Sequence, residues 1–94
     1  MCRLARLIMK FYYVYVLKSL NKDFNYVGFT EDLKIRFKQH NNKENSSTEA
    51  NTPFDLIHYE AYKNKKDAKR REEYFKTTKG KTTLRYMLKD CLKK

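Results

Sequence analysis

The sequence has 94 residues, enough for one domain with a modest core and too few for a second. Lys and Arg total 22 against 11 Asp and Glu, a formal net charge of +11 that directs the chain toward polyanions: DNA, RNA or an acidic membrane surface. With 40% hydrophobic residues, one Pro and two Gly, it is not a disordered polycation, and regular elements should dominate.

Residues 1–9 read as an N-terminal extension ahead of a single domain over residues 10–94. The apolar part, Leu7–Met9, is too short for a secretory core, and no run approaches the roughly 18 apolar residues of a membrane span. Met9 opens MKFYYVYVL, itself a good protein start, so residues 1–8 are expected to carry little functional weight. Cys2 and Cys91 lie at opposite ends and form no CxxC pair or Cys/His cluster, which argues against zinc. Free thiols without a signal peptide fit a cytoplasmic protein.

Phe11–Leu17, FYYVYVL, is aromatic and β-branched without a break, which predicts a strand buried on both faces. Lys18–Asp23 is polar, and Phe24–Phe29 is a second strand close enough to form an antiparallel hairpin. Thr30 suits an N-cap, with Glu31 and Asp32 in the first helical turn. Leu33, Arg36, Phe37 and His40 then share one helical face. Asn41–Thr52 is a polar loop, and Pro53 precedes an extended run, Phe54–Tyr62.

Asn64 can cap a second helix, with Asp67 in its first turn and Ala68, Arg71, Glu72, Phe75 and Lys79 on one face. Gly80 reads as its stop. Leu84, Met87, Leu88 and Cys91 give a last helix its apolar stripe. The order β-β-α-β-α-α predicts an α+β fold: a three-stranded, mostly antiparallel sheet flanked by helices.

Glu72 falls on the stripe expected to face the sheet, whereas Glu73 can point to solvent. An inward carboxylate needs a partner. Either a neighbouring Lys or Arg pairs it, or it holds Mg²⁺, which takes one or two carboxylates and keeps its waters. Arg36 and His40 lie one turn apart. They are either edge residues beside the core or a phosphate clamp and a proton relay. Most of the eight tyrosines are strand packing, with Tyr13 and Tyr15 on one face and Tyr12 on the other. A phenol becomes a general base only where positive charge lowers its pKa from about 10. His58 reads as structural.

Taken together, these features resemble the GIY-YIG nuclease superfamily. Tyr13-Val14-Tyr15 stands where that family has Gly-Ile-Tyr, and Tyr26-Val27-Gly28 where it has Tyr-Ile-Gly. Arg36 and His40 match its R-x-x-x-H, and Glu72 its metal-binding Glu. The stretches YYVYVLKS, YVGFTEDL, FDLIHYEAY and REEYFKTTKGK are similar to the short, single-domain, UvrC-like members, over roughly residues 10–92. Three features depart from the pattern. Tyr13 replaces the first Gly. Glu49, Ala50, Asn51 and Thr52 follow Ser47-Thr48 where basic residues are usual. A late Asn has no counterpart after Gly80.

The resemblance implies a DNA endonuclease that hydrolyses phosphodiesters with one divalent metal, Mg²⁺ or Mn²⁺, held by Glu72. It implies Arg36 on the phosphate and Tyr15 as base, with Tyr26 holding it or the water. The reverse assignment of the tyrosines is open, and His40 would polarise a phenol or bind phosphate. It also implies DNA contact through backbone phosphates, with structure selectivity or a partner protein supplying the target. The five residues are expected to converge beside the sheet, with Glu72 on the side of Tyr15. The rival reading is a basic nucleic-acid-binding protein that does not cut; a structural interaction protein fits the charge poorly.

Overall fold

The computed structural model describes residues 10–45 and 48–93. The N-terminal extension, Cys2 and Ser47 lie outside the described residues. Among those described, no helix is long and apolar enough to cross a membrane.

Three strands form one antiparallel sheet in the order β2-β1-β3: β1 is Tyr12–Ser19, β2 is Asn25–Thr30 and β3 is Phe54–Tyr62. The central place of β1 explains its unbroken apolar run. Val14, Val16 and Leu17 are buried, and Tyr15 with them, because both faces of this strand are covered. On one face Val14 and Val16 join Ala68, Phe75 and Leu84. On the other, Tyr15 and Leu17 join Phe54, with Leu33, Phe37 and Leu56 packed around them.

Helix α1 spans Leu33–Asn41. Its cap is Asp32, whose side chain accepts from the Ile35 amide at 3.1 Å, and not Thr30. Thr30 still pairs with Tyr13 across the hairpin and so belongs to β2. Its hydroxyl accepts from the Asp32 amide at 3.0 Å and steers the chain into the helix. Glu31 and Asp32 therefore precede the first turn. A single 3₁₀ turn, Glu49–Asn51, interrupts the polar loop.

Helix α2, Lys65–Phe75, is capped by Asn64, which accepts from the Lys66 amide at 2.8 Å. Helix α3 is Thr78–Met87. Gly80 does not stop α2; it lies in the first turn of α3, whose cap is Thr77, accepting from the Gly80 amide at 2.9 Å. A Ser/Thr N-cap signal at Thr77 outweighs the stop signal of a later glycine. The glycine serves close approach instead: a Cβ there would stand 1.7 Å from the Tyr74 carbonyl oxygen. Lys79 accordingly belongs to α3 and not to the α2 face. The apolar stripe of α3 ends with the helix, so Leu84 is buried while Cys91 lies beyond it, exposed and free.

One polar network fastens α2 to β3. The Glu60 carboxylate receives Arg71 Nε at 2.9 Å and Nη2 at 3.2 Å, the Tyr62 hydroxyl at 2.6 Å and His58 Nε2 at 3.1 Å. Burial pushes the Glu60 carboxyl up. The hydrogen bonds from Arg71, Tyr62 and His58, with the Arg71 charge, overcome this and bring it down to about 2. The folded pKa is below the unfolded one, so this stability is complete above the ordinary carboxylate range and is lost as pH falls toward 2. Glu60→Gln should cost on the order of 1–3 kcal/mol at pH 7. In urea titrations from pH 7 to pH 2.5, the gap between parent and variant should close as pH drops below about 4.5.

Candidate active site

The site grows from a phenol in the middle of a buried strand. Tyr15 is 2% exposed and His40 0%. The Tyr15 hydroxyl lies 2.8 Å from His40 Nε2, bringing β1 and α1 together across 25 residues. On the far side of the imidazole, Nδ1 lies 2.8 Å from the Thr48 hydroxyl. Tyr26, the register partner of Leu17 and so diagonal to Tyr15 on the same face, completes the cluster: its ring centroid is 5.1 Å from that of His40 and 6.3 Å from that of Tyr15. Gly28 is the register partner of Tyr15, and a Cβ there would come within 2.4 Å of the phenol's Cζ and Oη. The glycine is what lets the ring lie against β2.

Arg36 sits one turn before His40 and is half-buried. Its charge acts on both neighbours. Burial pushes the Tyr15 phenol well above its ordinary value, Tyr26 adds to this, Arg36 opposes it, and Glu72 raises it further. The expected lowering of a phenol by Arg36 is thus present at Tyr15 but outweighed by burial. Burial lowers the His40 pKa, and Arg36 lowers it further, so the imidazole is neutral at pH 7. Among the described residues, no carboxylate lies within ion-pair distance of Arg36.

Glu72 enters from a helix on the other face of the sheet, since Ala68 and Phe75 of α2 pack with Val14 and Val16. The expectation that it shares the side of Tyr15 is therefore corrected: the groups meet around the edge strand β2. Lys76 Nζ pairs with Glu72 Oε2 at 3.1 Å and stands 5.7 Å from the Tyr26 ring centroid. Lys69 Nζ pairs with Glu72 Oε1 at 3.2 Å and stands 4.8 Å from that of Phe29. Both carboxylate oxygens thus face cations at the β2 edge, and the side chain is only 12% exposed. Glu73 is exposed.

No group of three metal-ligating side chains exists among the described residues. A single carboxylate suits Mg²⁺, which retains water and takes substrate oxygens as its other ligands. Beside this edge runs a groove of about 630 Å³ lined by Tyr26, Lys76, Lys81 and Arg85 among others.

Sequence reasoning missed three contributors. Lys69 and Lys76 were legible as the i−3 and i+4 neighbours of Glu72. Thr48 was noted only as part of a Ser-Thr pair whose loop lacks the usual basic residues; it is 0% exposed and turned toward His40.

A buried tyrosine–histidine pair on a small antiparallel sheet, with an arginine one turn away and a carboxylate at the sheet edge, defines a compact polar site in an α+β domain. The chain belongs to the GIY-YIG family, an endonuclease family: the model of the GIY-YIG catalytic domain matches residues 11–85. A UPF0213 protein of Clostridium perfringens is 38% identical over 65 residues, 68% of this chain and 69% of its own. One from Pediococcus acidilactici is 32% identical over 79 residues, covering 81% of this chain and 80% of the relative. A third, from Streptococcus agalactiae, is 34% identical over 76 residues, 80% and 85% of the two chains. No solved structure matches the chain.

The fit of Tyr15 against Gly28 has a direct test. Gly28→Ala should destabilise the fold by about 1–3 kcal/mol, since a methyl group there has no room unless the phenol moves. Denaturant titration measures the loss, and the hydroxyl-to-imidazole bond should weaken with it. An unchanged midpoint would place the Tyr15 ring elsewhere.

Proposed function

We propose that this protein is a metal-dependent endonuclease that hydrolyses DNA phosphodiester bonds. The observation that carries this reading is the placing of Glu72, through Lys76, beside the Tyr26–His40–Tyr15 cluster that Arg36 overlooks. A domain that only bound nucleic acid would need lysines and arginines, not a covered carboxylate next to a phenol–imidazole pair.

Glu72 would hold one Mg²⁺ or Mn²⁺ ion, a divalent cation taking the place of two ammonium groups. Such an ion neutralises charge on the scissile phosphate and the leaving 3′-oxygen. Arg36 would bind the same phosphate with its planar fork of donors. Tyr15 would take the proton of the attacking water while passing its own to His40 Nε2, a relay that stands in for the lowered pKa that burial denies this phenol, and Tyr26 would align the water. His40 is fully covered and bonded through both nitrogens, which favours its action on the phenol over direct phosphate binding. Lys76, Lys81 and Arg85 would follow the backbone of the strand along the groove without reading its sequence. Target choice would then come from DNA structure, as in repair or recombination, or from a targeting protein.

The test is cleavage of supercoiled, branched and single-stranded DNA with Mg²⁺, Mn²⁺ or EDTA. Glu72→Gln should lower cleavage by about 10²-fold or more while DNA affinity holds or rises. The fold should survive, because lost pairs to partly exposed lysines are worth at most about 1 kcal/mol each. Glu73→Gln should cut normally. Full cleavage by Glu72→Gln would place the metal on other residues, and equal loss from both would indicate helix damage.

Binding should be electrostatic. Affinity for duplex DNA should fall with salt, each neutralised phosphate adding roughly −0.9 to the log–log slope. A flat salt titration would exclude backbone contact as the source of affinity.

A further inference from the structure

We propose that Thr48 is a positioning residue that fixes the tautomer of His40 and so aims the Tyr15 proton. The inference rests on the nuclease reading for its meaning in catalysis, but its physical content is independent of it.

The hydrogen bonds form a directed chain. The Thr48 hydroxyl donates to the Asn45 carbonyl oxygen at 3.3 Å, beside the Thr48 and Glu49 amides, which reach the same oxygen at 3.1 Å. Toward His40 Nδ1, at 2.8 Å, the threonine oxygen is then the acceptor and Nδ1 carries the proton. His40 is neutral at pH 7, so Nε2 has a free lone pair. At 2.8 Å from it, the Tyr15 hydroxyl must be the donor. Tyr15, His40 and Thr48 are all at most 2% exposed, so bulk water does not compete for these positions.

The opposite tautomer would reverse the chain. With the proton on Nε2, His40 would donate to Tyr15, and the phenol would have no histidine acceptor for its own proton. The loop after α1 thereby decides whether Tyr15 can serve as a base. The proton balance is simple. As the Tyr15 O–H bond breaks, the proton forms a bond to His40 Nε2. The phenol oxygen takes a proton from water, whose oxygen bonds to phosphorus as the P–O3′ bond breaks. The leaving 3′-oxygen takes a proton from solvent; to reset the site, the Tyr15 hydroxyl gives up to solvent the proton it took from water and recovers its own from His40 Nε2.

The test is the ¹⁵N spectrum of the His40 imidazole in the whole protein without DNA or metal, with His58→Asn used to assign the two histidines. The parent should show a protonated Nδ1 and a bare Nε2. Thr48→Val keeps the side-chain shape, removes the acceptor and should move the proton to Nε2. Thr48→Ser should restore the parent pattern. Thr48→Ala reports the same change should valine disturb the packing. In cleavage assays Thr48→Val should lose about 10²-fold, the scale of a misplaced general base, with most of it recovered in Thr48→Ser. A parent spectrum with the proton on Nε2, or an unchanged tautomer in Thr48→Val and Thr48→Ala, overturns the proposal. The expected spectra together with no cleavage of any DNA would leave the tautomer lock standing and remove the nuclease reading instead.

Discussion

A phenol has to be hydrogen-bonded inside a strand that is covered on both faces. That constraint organises this protein. Val14, Val16 and Leu17 fill the central strand with hydrocarbon, and Tyr15 places a polar atom among them. Left unpaired, that hydroxyl would cost on the order of 1–3 kcal/mol, a large share of what a domain this small retains. His40 removes the cost, and to do so α1 must lie over the Tyr15 face with its last turn at the phenol. His40 then needs a partner of its own, which draws Thr48 inward and closes the loop after α1. Among the described residues no buried side-chain nitrogen or oxygen lacks a partner. The polar cluster is thus both a requirement of the core and the part of the core able to do chemistry.

The two faces of the sheet divide the work. One carries α1 and the aromatic cluster; the other carries α2 and α3, held by Phe75, Leu84 and the Arg71–Glu60 pair. They meet around β2, the edge strand that carries Tyr26, where Lys76 stands between that ring and the Glu72 carboxylate. Lysine side chains at that edge also discourage pairing with a second sheet, so the same ammonium groups keep the edge open.

Much of this was legible in the sequence because its signals were local and agreed with one another. The apolar run of β1, the R-x-x-x-H stripe on α1, the Asn64 cap and the span of β3 all survive in the structure. What was not legible depended on contacts between elements. Thr30 reads as a cap because Thr is a good one; only its pairing with Tyr13 shows that it is still strand. Gly80 reads as a stop because isolated helices stop there, whereas the approach of Tyr74 makes it a packing position. Glu72 was correctly read as covered, yet periodicity cannot say which side of a sheet a helix will occupy. Thr48 was visible as a polar loop residue, and nothing in the loop's composition announces that it faces inward.

The irregularity in β3 has a consequence of its own. Val16 pairs with His58 and the next residue, Leu17, with Leu56, so Ile57 is one residue more than the ladder needs. The insertion is a half-period phase shift in an alternating pattern. Before it, Phe54 and Leu56 point toward the Tyr15 cluster; after it, Glu60 and Tyr62 meet Arg71 beneath α2. No single alternation fits FDLIHYEAY, because two are spliced within it. Removing Ile57 would leave every other residue of β3 opposite its present partner, with Phe54 and Leu56 still on the Tyr15 face and Glu60 and Tyr62 still beneath α2. The extra residue therefore does not hold the two faces apart; it adds local twist to the strand and one more apolar side chain to the face of Val14 and Val16. Loss of a residue at this point is better tolerated than loss of one anywhere else in β3, where the two faces would exchange.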